Sequence, residues 1–501
     1  MTTMANKSLT LILDQGSHAS RAIVFNAQGE KITEASMAVE TLRQGDRVEL
    51  DAIALVDSLK KVALDAYDQL GAEQGHLKTA GLATQRSNIV CWRKSDYTAL
   101  SPILSWQDRR AEDKLKNADF TYIQSKTGLF ANAHYGASKM AWCLEHISEV
   151  NTAAELHDLG IGPMASYLAS RLTNSTALAD PANASRTLLW NIHTRNWDEE
   201  LCRFFGIDKS ILPPCVTSDY GFGFLSLRDR QIPLRIVSGD LSAAAFLNGL
   251  PQKDTAYITL GTGAFVQRII DEPGLHAPLL DGVLWSSADR QLFSLEGTVN
   301  GAGSAISWLA EQHGIAEETI FQHVEQWLAD IQNPPLFLNA VSGIGSPLWC
   351  AHETPGFDRD ASLPEQVTAV LESILFLLIL NMQVMHESLP RAQCINISGG
   401  LSSIKGFCRK LADLSGLPVQ CNLETEGTAL GLAYLLTGFP TTWPAKFIVF
   451  EPALNTGLSK RYAEWMLFVR DSVSEYCRYF KSSDRDMAHQ MQPRPEYQYP
   501  V

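Results

Sequence analysis

Two aspartates in this chain stand beside small, turn-forming residues in a way that suits chemistry on phosphate. Asp14 begins the run Asp14-Gln15-Gly16-Ser17 directly after the β-prone Leu9 to Leu13, and Asp240 follows Gly239 at the end of a second short apolar run. Glycine turns recur at Gly261 and Gly263, which flank Thr262, and at Gly399 and Gly400. Such turns expose backbone N–H groups and let the main chain come close to phosphate oxygens. With one carboxylate holding hydrated Mg²⁺ and another accepting the proton of an attacking hydroxyl, the set meets the needs of phosphoryl transfer to an alcohol. Each piece alone has a plainer reading. An Asp-x-Gly turn is most often structural, Gly-Thr-Gly is a weak signal, and Asp240 ahead of Ser242-Ala243-Ala244 also suits the first turn of a helix. Trp106 reads equally as core, His134 as a loop histidine and Arg86 as one half of a surface ion pair.

Other chemistries lack their motifs. The chain has no G-x-x-x-x-G-K-[ST] loop, no G-x-G-x-x-G after its first strand, no H-E-x-x-H and no G-x-S-x-G nucleophile elbow.

The elements that must position these residues follow from local patterning. Leu9 to Leu13, Arg21 to Phe25 and Lys31 to Val39 are β-prone and separated by turn residues, which predicts a three-strand meander with Asp14 at its first bend. Ala256 to Leu260, the Gly261-Thr262-Gly263 turn and Ala264 to Ile270 repeat the same phrase, so two halves sharing one plan are expected. Val237 to Gly249 reads as strand, turn and small-residue helix, and ends the first domain. Cys394 to Ile397 reads as a strand, Ile404 to Leu414 as a helix, and Ala429 to Leu436 as an alanine- and glycine-rich helix. Pro364 after Ser362 suits the start of a helix that is apolar nearly all round to Met385 and is expected to lie buried between sheets. Residues 461–480 read as a last amphipathic helix, and the final ~20 residues as a mobile tail.

At 501 residues and 45% hydrophobic content the chain is long enough for more than one core. Its 41 Lys and Arg against 55 Asp and Glu leave a formal charge of -14, so no global field attracts nucleic acid or anionic lipid. A phosphorylated ligand therefore needs a local site. Nine scattered cysteines with no C-x-x-C pair read as free thiols in a reducing compartment. The N-terminus lacks the apolar stretch of a signal peptide, and the most apolar run, Ile374 to Leu380, is far shorter than the roughly 20 residues of a spanning helix. The expectation is a cytoplasmic protein without membrane or nucleic-acid partners.

The motifs also come in a telling order: D-Q-G-S-x-x-S-R-A at Asp14, T-Q-R at Thr84, W-Q-D-R-R at Trp106, N-A-S-R-T-L-L-W-N-I-H-T at Asn183, S-G-D-L-S-A-A at Ser238, G-T-G-A-F at Gly261 and T-A-L-G-L-A-Y at Thr428. This series, spanning about residues 8–440, resembles the FGGY carbohydrate kinases, and within them the glycerol kinase branch. The resemblance implies an α/β fold of two ribonuclease H-like, actin/hexokinase-like domains with a cleft between them. Residues 8–248 would form the polyol-binding domain that carries the base, residues 249–440 the ATP-binding domain, and residues 441–501 a C-terminal helix and tail. By the same resemblance Asp240 is the catalytic base, and Asp14 organises metal and phosphate, with Asp240 the second candidate carboxylate for Mg²⁺. Ser17, Thr262, Gly303 and Gly400 would contact ATP, and Gln15, Gly16, Gly263 and Gly399 are implied beside them as further ATP-binding residues. Arg86 and Trp106 would hold the polyol, and Phe265 would form an aromatic wall. The small polyol or sugar substrate is the partner implied, and a homo-oligomer is compatible with it.

The substrate side departs from the glycerol kinase pattern. R-E-T becomes Arg86-Ser87-Asn88, G-D-Q becomes Gly239-Asp240-Leu241, and a tyrosine becomes His134, with Tyr135 able to substitute after a one-residue shift. Losing a carboxylate and an amide that bind hydroxyls weakens glycerol binding by on the order of 10²-fold. A different polyol or ketose, or a ligand sensor without catalysis, are the competing readings. On the nucleotide side V-D-G-G becomes Ile397-Ser398-Gly399-Gly400, and a usual asparagine is Ile404.

Overall fold

Strand β1 (Leu9–Gln15) is buried at every position, and β2 (Ala19–Asn26) and β3 (Lys31–Ala38) return beside it antiparallel, giving the expected meander. The computed structural model describes residues 8–473 apart from 117, 351, 424–425, 442 and 444. Strand β4 (Leu77–Thr84) joins β1 in parallel. The hairpin of β5 (Phe224–Leu227) and β6 (Arg230–Gly239) completes a six-stranded sheet in the order β5-β6-β4-β1-β2-β3. Asp14, Gln85 and Asp240 thus sit at or just past the same ends of three neighbouring strands. Helix α1 (Ala52–Asp68), capped by the Asp51 carboxylate on the N–H groups of Ile53 and Ala54, covers one face of this sheet. A five-stranded side sheet built from Ile89–Arg93, Leu159–Pro163 and three shorter strands supports helix α2 (Gly136–His146).

The second half repeats the plan. Strands β7 (Thr255–Leu260), β8 (Ala264–Ile270), β9 (Leu280–Ser286) and β10 (Gln291–Val299) pair antiparallel. Strands β11 (Cys394–Gly399) and β12 (Val419–Asn422) run parallel to β7, and β13 (Phe447–Phe450) closes the edge, in the order β9-β10-β8-β7-β11-β12-β13. Helix α3 (Asp240–Ala244) follows β6, and helix α4 (Gly303–His313) follows β10. Helix α5 (Leu363–Ser388) starts at Pro364 with a capping box between Ser362 and Glu365. It lies on one face of the second sheet with helix α6 (Lys405–Ser415) on its other side, rather than between two sheets. Its length and composition would suffice to cross a membrane, but 89% of its apolar window is buried inside the protein, as befits a core helix.

The two halves exchange helices. Helix α3, from the first half, leans on the second sheet, where Ser242 Oγ donates to the Val283 carbonyl at 2.8 Å. Helix α7 (Gly427–Leu436), from the second half, packs on β1 and β4 of the first sheet, with Leu432 and Leu436 over Gly81. The two helices cross at Gly431, where a Cβ would stand 1.9 Å from the Ala243 carbonyl oxygen, so only glycine permits the approach. An apolar cluster of Ile12, Ile23, Phe25, Trp285, Leu432 and Tyr434 fills the junction.

Two expectations need adjustment. The last described helix, α8, spans Thr456–Ser472, so it starts earlier than expected; residues 474–480 of the expected helix, and the tail, lie outside the described residues. Seven cysteines are free thiols, but Cys350 is disulfide-bonded, against the expectation of free thiols throughout.

Candidate active site

The strand ends of the first half carry charge. Asp14, 3% exposed, accepts a 2.6 Å hydrogen bond from Arg21, whose guanidinium also pairs with Glu426, just ahead of α7. Burial raises the Asp14 pKa and Arg21 opposes the rise. Gln15 is fully buried. Its amide accepts from Ser20 Oγ at 2.7 Å and donates to the Gly16 carbonyl at 3.1 Å, so its role is to shape the turn. Asp240 opens α3 and one of its oxygens accepts the Leu241 N–H at 2.7 Å. The carboxylate keeps a partial opening to solvent, yet protein encloses it enough that burial pushes its pKa up to about 6, against the lowering pull of Arg86. The charge of Asp14 adds to the rise, which makes the two carboxylates neighbours.

Arg86 occupies the cleft floor but is already engaged. Its guanidinium makes a two-pronged contact with Glu296 of β10 at 3.2 and 3.3 Å, and Arg186 grips the same carboxylate. Burial works against the Glu296 charge, but the two guanidiniums outweigh it and hold the pKa at about 2. The methylenes of Arg86 lie against Gly239, where a Cβ would come within 2.6 Å, so this glycine lets the arginine reach across beside Asp240.

The strand ends of the second half carry backbone instead. The Gly261-Thr262-Gly263 turn is closed by a Gly261 N–H to Gly263 carbonyl bond of 2.8 Å. The N–H groups of Gly303 and Ser304, at the start of α4, donate to the carbonyls of Gly261 and Thr262 at 2.9 and 3.0 Å. Gly303 therefore braces the turn rather than presenting its own N–H outward, and a Cβ there would stand 2.8 Å from the Gly261 oxygen. Gly399 has φ +97°, and a Cβ there would fall 2.2 Å from the Leu260 oxygen, whereas Gly400 faces open space.

Between these strand ends lies a cavity of about 250 Å³ whose lining includes Ser17, Thr262, Gln85 and Trp106, so turns of both halves and the substrate-side tryptophan share one space. The indole N–H of Trp106 donates to Gln85 Oε1 at 3.2 Å and its backbone N–H to Asn88 Oδ1 at 2.7 Å. The His134 ring lies 5.2 Å from the Trp106 ring, and burial keeps it neutral, with a pKa well below 6.5. Tyr135 is 2% exposed and turned toward Arg186 and Glu296, so it is His134 that stands beside the tryptophan. Ser87 is buried with φ +67° and its Oγ has no hydrogen-bond partner, while Leu241 is 9% exposed. Phe265 is half-buried on β8, beside Gly263.

Residues 9–246 match the N-terminal domain, and residues 256–437 the C-terminal domain, of the FGGY family of carbohydrate kinases. The chain belongs to that family. A glycerol kinase of Pseudothermotoga lettingae is 31% identical over 452 residues, 86% of this chain and 89% of that one. A glycerol kinase of Ectopseudomonas mendocina is 29% identical over 495 residues, 93% and 99% of the two chains. Plasmodium falciparum glycerol kinase with ADP superposes with a TM-score of 0.81 at 22% identity, over 93% of this chain and 99% of that one. Gluconate kinase of Lactobacillus acidophilus gives 0.77 at 21%, over 96% and 100%. These structural likenesses carry the fold, which is the two-domain actin/hexokinase-like one.

This FGGY kinase uses ATP with Mg²⁺. Its residues fit both. Among the described residues no cluster of three or more His, Cys, Asp or Glu forms a dedicated metal cage, and Mg²⁺ in phosphoryl transfer uses only one or two protein carboxylates besides water and phosphate. The neighbouring carboxylates Asp14 and Asp240 could supply that number, and the open face at Gly400 leaves room for a phosphate chain. Five charged residues of the site carry no mark that singles them out in the sequence: Glu296, Arg186, Arg21, its partner Glu426, and Lys139, buried on α2. Arg21 and Arg186 stood inside quoted motifs without a role. Glu296 had one available signal, as a carboxylate in a strand whose last seven positions are all buried.

Proposed function

We propose that this kinase transfers the γ-phosphoryl group of ATP to a hydroxyl of a small polyol or sugar other than glycerol, with Asp240 as the general base. The observation that carries the proposal is the Asp240 carboxylate at the cleft floor, with its pKa raised to about 6 between Arg86 and Asp14. A base with that pKa is largely ionised at neutral pH and still basic enough to accept a proton as the hydroxyl attacks. The Leu241 N–H fixes one of its oxygens and leaves the other for the substrate. Trp106 and His134 supply flat faces for a carbon skeleton, and the cavity that Trp106 borders reaches the Thr262 turn from which a nucleotide would present its phosphates. Asp14 would hold Mg²⁺, which when bound spreads the charge that builds on the phosphoryl oxygens.

The substrate side favours an alcohol unlike glycerol. Ser87 and Leu241 stand where the glycerol kinase pattern has a carboxylate and an amide, and neither the buried Ser87 hydroxyl nor the apolar Leu241 replaces those hydroxyl-binding groups. Arg86 is held by Glu296, so its main influence on the reaction is its charge beside Asp240. A panel of polyols, ketoses and aldoses assayed by coupled ADP detection tests the reading. A polyol or ketose with kcat/KM above that of glycerol is the expected result. Glycerol as the best substrate would overturn the substrate assignment, and ATP binding without alcohol-dependent ADP release would make the protein a sensor.

A further inference from the structure

Resting on the proposed alcohol site, we infer that Lys139 is a positioning residue that sets the shape of that site. The Lys139 side chain is 0% exposed on α2, and its ammonium donates to three backbone carbonyls: Ser87 at 3.0 Å, Ser105 at 2.9 Å and His134 at 2.8 Å. An ammonium has three donors and no acceptor, so the three carbonyls use its whole capacity. Each belongs to a different segment, and each segment carries one wall of the alcohol pocket. Ser87 follows Arg86, Ser105 precedes Trp106, and His134 itself faces the Trp106 ring.

Among the described residues no other side chain hydrogen-bonds to all three segments. Gln85 and Asn88 join the first segment to Trp106, but neither reaches His134. Ser87 sits at φ +67°, a conformation a non-glycine residue adopts only when its surroundings hold it there, and its carbonyl is the one that Lys139 holds. Asp108 and Arg110 lie close enough to act on the Lys139 charge with opposite signs, and Asp108 is itself committed to Arg110 and to the Val48 N–H. Lys139 touches neither Asp14 nor the Gly261-Thr262-Gly263 turn through any of its three bonds. Its removal should loosen the alcohol side and spare the nucleotide side.

The test compares Lys139→Met with Lys139→Arg and with Arg461→Met. The last breaks the buried ion pair to Glu372 in the other half and so controls for lost stability alone. Lys139→Met should raise KM for the best alcohol of the panel about tenfold or more and leave KM for ATP within about twofold, because a misplacement of about 1 Å is enough to cost this much. Lys139→Arg, whose planar fork cannot face three converging carbonyls, should raise the alcohol KM by a smaller factor of about three. It also serves as the readout if the methionine variant is insoluble. Arg461→Met should lower the melting temperature with both KM values unchanged. An unchanged alcohol KM in the Lys139 variant that folds, with a melting shift like that of Arg461→Met, would overturn the inference. If the wild type turns over no alcohol, the functional reading fails separately. The crystal structure of the Lys139 variant that folds then decides the inference: displaced Ser87, Trp106 and His134 segments support it, and unmoved ones overturn it.

Discussion

The two halves of the molecule share a strand plan and differ in what stands at the strand ends. In the first half the ends of β1, β4 and β6 lead into Asp14, Arg86 and Asp240. In the second half the ends of β7 and β11 lead into Gly261-Thr262-Gly263 and Gly399-Gly400. One framework thus serves two tasks. Charged side chains suit proton transfer and charge balance at a reacting hydroxyl, whereas bare backbone suits the close approach of phosphates. The halves meet through two ion clusters, the partly exposed Asp14–Arg21–Glu426 and the buried Arg86–Glu296–Arg186, each with members from both.

The comparison breaks hardest at Asp240. Asp240→Asn should lower kcat by about 10²–10⁴-fold while ATP affinity, measured by calorimetry, stays near wild type. Near-normal turnover would move the chemistry elsewhere. The two glycines after β11 sharpen the other side. Gly399→Ala forces a side chain into a backbone region reserved for glycine and against the Leu260 oxygen, and should cost about 1–3 kcal/mol from the backbone alone, read by urea unfolding. Gly400→Ala meets nothing within 4 Å, so it should fold normally and instead raise KM for ATP severalfold. Equal stability losses in both variants would contradict this division.

Smaller effects are expected where the pocket departs from the glycerol kinase pattern. Ser87→Glu combined with Leu241→Gln should raise kcat/KM for glycerol about tenfold, since two hydrogen bonds of about 1 kcal/mol each would return. Glycerol kinetics unchanged in the double variant would remove those positions from substrate selection. The gentlest test is pH. A base with its pKa near 6 must lose its proton to work, so kcat/KM should stand at half its plateau at about pH 6, fall tenfold per unit below that and level off above it. An acid limb centred near pH 4 would mean that the Asp240 carboxyl is not raised in the working enzyme.

The parts legible in the sequence are those that local patterning encodes. Asp14, Asp240 and the glycine pairs stand next to β-prone runs, so strand-end placement follows from their immediate neighbours. Arg86 and Glu296 lie 210 residues apart, and their pairing arises only when the second sheet is set against the first. Lys139 looks like one more charge on an amphipathic helix, and its burial depends on three backbone carbonyls, two of them 34 and 52 residues away, that no side-chain pattern announces. Gln15 shows the opposite case: its neighbours suggest a ligand turn, while its amide spends its bonds on Ser20 and Gly16, which the turn sequence alone does not announce.

The exchange of α3 and α7 also bears on how the chain is made. Synthesis runs from the N-terminus, so β1 and β4 leave the ribosome roughly 350 residues or more before the end of α7 that Leu436 occupies is available to cover them. At about 5–20 residues per second that is a wait of on the order of 20–70 s, during which an apolar strip of the first sheet faces water or a chaperone. The nascent first half is therefore a partner in search of its own downstream sequence, and a messenger truncated before codon 427 would release a polypeptide that no amount of time completes.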